Sequence, residues 1–134
     1  MTDRFATPLI DPGALAATYD ELPLWSAPFG LALLDAVRLR TGMTVLDVGC
    51  GTGFPLLEIA ARAGAGVAHG IDPWRAALER ARHKAAARGL ASVRLHEGVA
   101  EALPFAGRTI DLIVSNNGIN NVADLDRALA ECAR

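Results

Sequence analysis

Cysteine is scarce in this chain, and the two that occur stand far apart in different surroundings. Cys50 lies within a run of glycines, and Cys132 lies in a stretch of helix-forming residues. Two cysteines so placed do not provide the framework of disulfides that stabilises many small secreted domains. We therefore expect a protein of the reducing cytoplasm.

Long apolar runs are also missing, although 51% of the 134 residues are hydrophobic. No stretch reaches the roughly 20 consecutive apolar residues that a membrane-spanning helix needs, and the start, Met1 to Arg4, lacks the features of a signal peptide. The apolar residues are mostly alanine and leucine, and their number is ample for one packed core. We expect a single domain over residues 1–134 that has no membrane partner.

Neither charge is in large excess, because 13 Lys and Arg stand against 15 Asp and Glu, which gives a formal net charge of -2. Binding to nucleic acid depends on neutralising phosphates and usually shows as a basic excess. One helix, predicted over residues 73–89, is rich in Arg, Lys and His, but no aromatic side chains alternate with these charges. Such a pattern is typical of a solvated helix face, so we predict no nucleic-acid partner.

Motifs for metal binding and for nucleophilic hydrolysis are absent. His69, His83 and His96 do not stand at metal-ligand spacing, and there is no Cys-x-x-Cys or His-x-x-x-His. There is also no Gly-x-Ser-x-Gly. We therefore predict no metal and no serine hydrolase.

What the chain does contain is a glycine-rich turn, Val45-Leu46-Asp47-Val48-Gly49-Cys50-Gly51-Thr52-Gly53. Apolar residues of strand character precede the glycines, and a helical pattern follows them over residues 54–60. Glycine suits a sharp turn from strand to helix, and it lets a ligand approach the backbone without meeting a Cβ atom. The turn therefore predicts a nucleotide-like cofactor at the end of a strand in a doubly wound α/β sheet.

The spacing of this turn distinguishes between two kinds of cofactor. A dinucleotide fingerprint, Gly-x-Gly-x-x-Gly, would need glycine at position 54, where this chain has Phe54. Asp47 would also repel the diphosphate of NAD, whereas a cofactor with a positively charged end would be attracted to it. An NAD-dependent oxidoreductase is therefore the less favoured alternative.

At these residues the chain resembles the class I S-adenosylmethionine-dependent methyltransferases, whose first motif appears here at residues 45–53. The resemblance continues through residues 70–74, 97–105 and 111–121, and it is greatest to the small-molecule branch that includes quinone-biosynthesis methyltransferases. It implies an α/β fold of the Rossmann-like, doubly wound kind. The sheet would be mostly parallel, with its strands in the order 3-2-1-4 and with helices on both sides. It also implies S-adenosylmethionine as methyl donor, S-adenosylhomocysteine as product and a small-molecule acceptor. Since methyl transfer is a direct displacement that needs mainly alignment and exclusion of water, we assign no catalytic acid or base.

The resemblance also implies which residues hold the cofactor. Asp72 ends the second predicted strand, about twenty residues after the glycines, and would accept hydrogen bonds from the ribose hydroxyls, although it could also cap a helix. Val99 stands where the family commonly has an Asp that binds the adenine amine, while the backbone of Ala100 could still bind the ring. Tyr19 would close the pocket or simply pack on the domain. The predicted cofactor-binding residues are Tyr19, Asp47, Gly49, Cys50, Gly51, Gly53, Asp72, Pro73, Trp74, Val99, Ala100 and Asn116.

Hydrophobic periodicity predicts the elements between these motifs. Ser26 would cap a helix with Pro28 in its first turn, with a buried stripe from Phe29 to Val37 and an end at Thr41-Gly42. A last helix, from about residue 123, would have Leu125, Leu129 and Cys132 on one face. Residues 1–25 would form a segment that covers the pocket. The predicted strands are 43–48, 67–71, 92–96 and 109–115.

Family members continue the sheet in the order 3-2-1-4-5-7-6, so the resemblance implies that the fourth strand is an edge in this chain. Residues 109–115 contain neither Lys nor Pro, and the unpaired backbone groups of an apolar edge strand promote association. We expect a homo-oligomer joined at this strand, or aggregation, together with weak catalysis. A fragment that binds cofactor or a protein partner without catalysis is the alternative function.

Overall fold

The computed structural model describes residues 11–19, 23–64 and 66–134, without the side chains of residues 23–25. The predictions for residues 1–10 and 20–22, which belong to the N-terminal segment, lie outside the described residues. Within the described part, no helix is long and apolar enough to cross a membrane.

The described residues form four strands, five α-helices and a short 3-10 helix. The strands are β1 (Thr44–Val48), β2 (Val67–Asp72), β3 (Val93–Glu97) and β4 (Leu112–Val114). The α-helices are α1 (Pro12–Tyr19), α2 (Pro23–Ala36), α3 (Leu56–Ala63), α4 (Arg75–Ala87) and α5 (Leu125–Ala133). The 3-10 helix covers Ile119–Asn121.

The strands make one parallel sheet in the order β3-β2-β1-β4, which confirms the predicted topology. Asp47 of β1 lies between Gly70 of β2 and Val114 of β4 in the register. β1 is almost entirely buried, as expected for a central strand covered on both faces. Because the strands are parallel, their carboxyl ends meet at one edge of the sheet, where the loops after all four strands come together.

Helices pack on both faces of the sheet. On one face, α3 and α4 bury a cluster that includes Leu56, Ala60, Ala68 and Leu78. The predicted apolar face of α4 is confirmed, since its buried residues are Ala77, Leu78, Ala81 and Ala85. On the other face, Ala128 of α5 packs with Leu46, Val48 and Ile71.

The prediction for α2 is wrong at both ends. The helix begins at Pro23, so Ser26 is not its cap and Pro28 lies inside it, and it ends at Ala36 instead of at Thr41-Gly42. The buried stripe is correct only in its second half, where Leu34 is buried and Leu33 and Val37 pack against the core. Phe29 is 63% exposed because it faces the cavity described below.

The last strand and helix also differ from the prediction. β4 has three residues, Leu112–Val114, where residues 109–115 were expected. α5 begins at Leu125, after Asp124, whose side chain accepts a hydrogen bond from the Arg127 N–H. Ala128 is its buried residue, while Leu125 and Leu129 are half exposed. The alanine at 128, and not the two leucines, is thus the buried residue through which α5 joins the core cluster.

Candidate functional site

An open cavity of about 1320 Å³ lies at the carboxyl edge of the sheet. The loops that follow β1, β2, β3 and β4 all contribute to its wall, and α1 and α2 add residues from the N-terminal side. Ten of the predicted cofactor-binding residues line it, namely Tyr19, Gly49, Cys50, Gly51, Asp72, Pro73, Trp74, Val99, Ala100 and Asn116. Asp47 and Gly53 are the two that do not.

The three glycines of the turn all have positive φ, but their surroundings differ. A Cβ atom on Gly51 would meet nothing within 4 Å, so the backbone there is open to a ligand. A Cβ on Gly53 would press on Leu57 and Ala81, at 3.0–3.3 Å, so this glycine serves the packing of the turn on α3 and α4. A Cβ on Gly49 would collide with the Cα atom of Gly118. Of the three, Gly51 is the one suited to close approach by a cofactor.

Asp72 ties the end of β2 to the glycine turn. Its Oδ2 accepts a hydrogen bond from the Gly51 N–H at 2.8 Å, and its Oδ1 accepts one from the Trp74 N–H at 2.8 Å. The side chain is buried apart from a small surface that borders the cavity. Since a carboxylate oxygen can accept more than one hydrogen bond, Asp72 can hold the turn and still accept from a ligand.

Asp47 is a buried carboxyl group with no hydrogen-bond partner for either oxygen among the described residues. The pKa of Asp47 is raised from 3.8 to about 8, chiefly because burial disfavours the charged form, with a smaller contribution from the negative charge of Asp72. The backbone N–H of Leu56 lowers the pKa in part but does not meet hydrogen-bond geometry. An unpaired buried carboxylate is costly, so a nearby cation would offset part of that cost.

Two aromatic rings stand at the side of the cavity formed by α1 and the start of α4. The rings of Tyr19 and Trp74 meet edge to face with their centroids 5.7 Å apart, and both line the cavity. The sequence left open whether Tyr19 borders the pocket or packs on the domain. Tyr19 packs on Trp74, and both rings line the cavity, while closure of the pocket over a cofactor by Tyr19 stays a prediction.

The loop after β3 is held at each end by hydrogen bonds. The Gly98 N–H donates to the Asp72 carbonyl oxygen at 3.2 Å. Glu101 Oε1 accepts from the N–H groups of Ala123 and Asp124, at 2.8 and 3.1 Å, and these bonds, Asp124 first, hold the pKa of Glu101 below its usual value. Val99, between these anchors, is exposed toward the cavity. Sequence reasoning did not single out Glu101, because its partners lie on a distant segment.

The loop after β4 lies on the glycine turn. Ser115 Oγ donates to the Val48 carbonyl oxygen at 2.6 Å and accepts from the Ile119 N–H at 2.9 Å. Asn116 lines the cavity, and its Nδ2 donates to the Ser26 carbonyl oxygen at 3.3 Å. Gly118 also lines the cavity, although the sequence indicated only a turn at this place. Its contact with Gly49 joins distant parts of the chain, and no local pattern could have revealed it.

Two of the three histidines meet away from this cavity, although they are distant in sequence. His69 Nδ1 and His96 Nε2 are 2.9 Å apart, on neighbouring strands, and Phe105 packs against both rings. Burial lowers the pKa of both imidazoles, and for His69 the proximity of His96 and Arg94 adds to the effect. No group of three or more metal-ligating side chains occurs in the part of the chain that the structure describes.

Comparison with known proteins shows the family to which this chain is similar. A family model described as a methyltransferase domain matches residues 45–134. Aklanonic acid methyltransferase DauC of Streptomyces sp. (strain C5) is 37% identical over 120 residues, which are 88% of this chain and 54% of that protein. The ubiquinone/menaquinone biosynthesis C-methyltransferase UbiE of Idiomarina loihiensis is 38% identical over 103 residues, or 75% of this chain and 41% of that protein.

Solved structures give the same result. A SAM-dependent methyltransferase from Aquifex aeolicus superposes with a TM-score of 0.79 at 26% identity, covering 92% of this chain and 66% of that one. YcgJ from Bacillus subtilis superposes with a TM-score of 0.73 at 28% identity, covering 80% of this chain and 45% of that one. The chain spans about half the length of the curated relatives it matches.

Proposed function

The chain belongs to the S-adenosylmethionine-dependent methyltransferases, and we propose that its cavity binds S-adenosylmethionine and transfers the methyl group to a small-molecule acceptor. The observation that carries the proposal is the convergence of the glycine turn, Asp72 and the loop after β3 on one cavity. The relatives support the class of acceptor, because their names refer to aklanonic acid and to quinone biosynthesis.

The residues present fit this cofactor. The backbone at Gly51 is open to the cavity, as a bound methionine moiety would require. A cationic ligand group near the turn would favour ionisation of the buried, unpaired carboxyl group of Asp47 and would be attracted to the carboxylate that results. Asp72 retains acceptor capacity for the ribose hydroxyls. Trp74 and Val99 offer apolar surface for the adenine.

The chemistry that S-adenosylmethionine supplies is a methyl group on a positively charged sulfur. The protein's task is to hold donor and acceptor in line and to exclude water. The glycine turn and Asp72 would fix the donor side, while Asn116 and Phe29 border the space beside it. No cavity side chain needs to gain or lose a proton for the displacement itself. A cavity of about 1320 Å³ is larger than most single-ligand sites, which hold about 300–1,000 Å³, so it has room for both molecules.

We also propose that the chain forms a homo-oligomer in the cytoplasm. No strand pairs with the outer edge of β4 within residues 11–19, 23–64 and 66–134, and Leu125 and Leu129 lie half exposed on α5. Unpaired strand edges and exposed apolar side chains both favour association. The free cysteines, Cys50 and Cys132, are compatible with a reducing compartment.

Calorimetric titration with S-adenosylhomocysteine tests the cofactor, with NAD as the comparison. We expect binding of the former and none of the latter. Asp72→Asn keeps the shape of the side chain but removes its charge, and it should weaken binding about ten- to a hundredfold, because a charge-assisted hydrogen bond contributes about 1.5–3 kcal/mol.

Asp126→Asn, on the exposed face of α5, is the matched control and should bind like the wild type. Equal affinity in the Asp72 variant would remove this residue from the site. Binding without transfer to any acceptor in a panel of phenols, enols and quinols would favour the alternative of a cofactor-binding domain without catalysis.

A further inference from the structure

We propose that Ser115 and Gly118 are positioning residues that clasp the loop after β4 to the glycine turn and thereby set the geometry of the cofactor site. The inference rests on the proposed function of the cavity. Ser115 does not line the cavity, so any effect it has on ligand binding must pass through the backbone that it holds.

Ser115 joins the two loops through a single hydroxyl group. Its Oγ donates to the carbonyl oxygen of Val48, the residue directly before Gly49, at 2.6 Å. The same Oγ accepts from the Ile119 N–H at 2.9 Å. A hydroxyl can donate one hydrogen bond and accept others, so both bonds form at once. The end of β1, at Val48, and the loop after β4, at Ile119, are thus both hydrogen-bonded to the Oγ atom of Ser115.

Gly118 completes the clasp by lacking a side chain. Its φ of -67° and ψ of -45° lie in the right-handed helical region, which any residue can adopt. Glycine is therefore not needed here for backbone conformation. A Cβ atom at this position would lie 2.6 Å from the Gly49 Cα and would collide with the Val48 carbonyl oxygen. Both are backbone atoms, which cannot rotate away as a flexible side chain can.

Ser115 and Gly118 hold the backbone on either side of two asparagines that form part of the cavity wall. Asn116 and Asn117 line the cavity between Ser115 and Gly118, and Asn117 has a φ of 65°. The position of both relative to the glycine turn depends on the contacts at either end. Loosening the clasp should therefore displace the turn and the amide wall together, and weaken cofactor binding without removing any side chain that touches the ligand.

The experiment measures the affinity for S-adenosylhomocysteine by calorimetry in three variants. Ser115→Ala removes the bridging hydroxyl and with it both hydrogen bonds, and it should weaken binding about three- to tenfold, because only part of that loss reaches the cofactor site. Ser115→Thr keeps the hydroxyl and should restore most of the affinity. Gly118→Ala adds one methyl group against the backbone and should weaken binding about tenfold or more.

Two controls match these substitutions. Ser92→Ala alters a half-buried serine whose side chain makes no hydrogen bond to any described residue, and Gly13→Ala alters a glycine without positive φ whose nearest Cβ contact would be 3.6 Å. Neither should change the affinity.

The thermal unfolding midpoint of each variant without ligand separates positioning from mere stabilisation. A lower midpoint with unchanged affinity in Ser115→Ala would overturn the inference, and so would a failure of Ser115→Thr to restore binding. If Gly118→Ala does not fold, the comparison of Ser115→Ala with Ser115→Thr still tests the inference. Failure of the wild type to bind S-adenosylhomocysteine would instead reject the proposed function, so the two failures are distinguishable.

Discussion

The buried carboxyl group of Asp47 should make the protein less stable as the pH rises. Its pKa of about 8 in the folded state exceeds the ordinary value of 3.8, so the folded state holds a proton that the unfolded state releases. The contribution of Asp47 to the free energy of unfolding is therefore greatest at low pH and is lost as the pH rises from about 4 to about 8. Asp47→Asn removes the titration, and at pH 8 it should be about 1–3 kcal/mol more stable than the wild type, since the buried amide offsets part of the gain.

Urea unfolding at about pH 5 and pH 8 measures this difference, with Asp126→Asn as the exposed control. Parallel pH profiles in the wild type and Asp47→Asn would contradict the prediction. At about pH 8, where Asp47 is partly ionised, the same variant should bind S-adenosylhomocysteine more weakly, because an asparagine cannot supply the negative charge that favours the ligand's ammonium group. Higher stability with weaker binding is the expected signature of a functional carboxylate that is costly to bury.

Val99 offers a second prediction at the residue scale, since it is exposed toward the cavity at the position where the family resemblance leads us to expect an Asp. Val99→Asp should tighten cofactor binding by about 1 kcal/mol, or roughly fivefold, by adding one hydrogen bond to the adenine amine. Val99→Ala is the control and should show no gain. Calorimetry in which the Asp variant binds no better would mean that the adenine is held in another way.

At the scale of elements, the pair of His69 and His96 joins β2 to the edge strand β3. The pKa of each imidazole lies below the ordinary 6.5, because burial disfavours the charged ring. The pair's contribution to stability is therefore complete above pH 6.5 and is lost as the pH falls below it, opposite in sign to that of Asp47. Two protonated rings also cannot share an N–H···N hydrogen bond.

We expect His96→Gln to remove part of the acid sensitivity of this strand pair. Hydrogen exchange of the amides of β2 and β3 at about pH 7 and pH 5 measures the effect locally. His83→Gln, on the exposed face of α4, is the matched control and should keep the acid sensitivity of the wild type. If His96→Gln loses as much protection from hydrogen exchange at low pH as the wild type, the histidine pair is not the source of the acid sensitivity.

At the scale of the whole molecule, the edge of β4 that pairs with no strand among the described residues should lead to self-association. Light scattering at increasing protein concentration should show a dimer or a larger species. Leu125→Glu and Leu129→Glu place charges on the half-exposed apolar face of α5 and should shift the equilibrium toward the monomer. Leu15→Glu, on the exposed side of α1, is the control. A monomer at all concentrations would contradict the proposed oligomer.

Features that depend on short stretches of sequence were predictable. The glycine turn, the buried strand before it and the apolar face of α4 all follow from local spacing, because backbone conformation and helix periodicity are set within a few residues. The sheet order followed from the resemblance that the same motifs carry. The local method failed at α2, where Phe29 has the spacing of a core residue but faces the cavity, since periodicity cannot tell which surface a helix covers.

Contacts between distant segments were decided only by the tertiary structure. The approach of Gly118 to Gly49 depends on β4 lying beside β1, and the meeting of His69 and His96 depends on the register of β2 with β3. The sequence by itself determined that Asp47 precedes a glycine turn, but its unpaired burial and raised pKa required the neighbouring strands and α3 to exclude water from it. Short-range pattern thus determined the glycine turn, the central strand and the apolar face of α4, while packing determined protonation and distances, because both depend on neighbours that are remote along the chain.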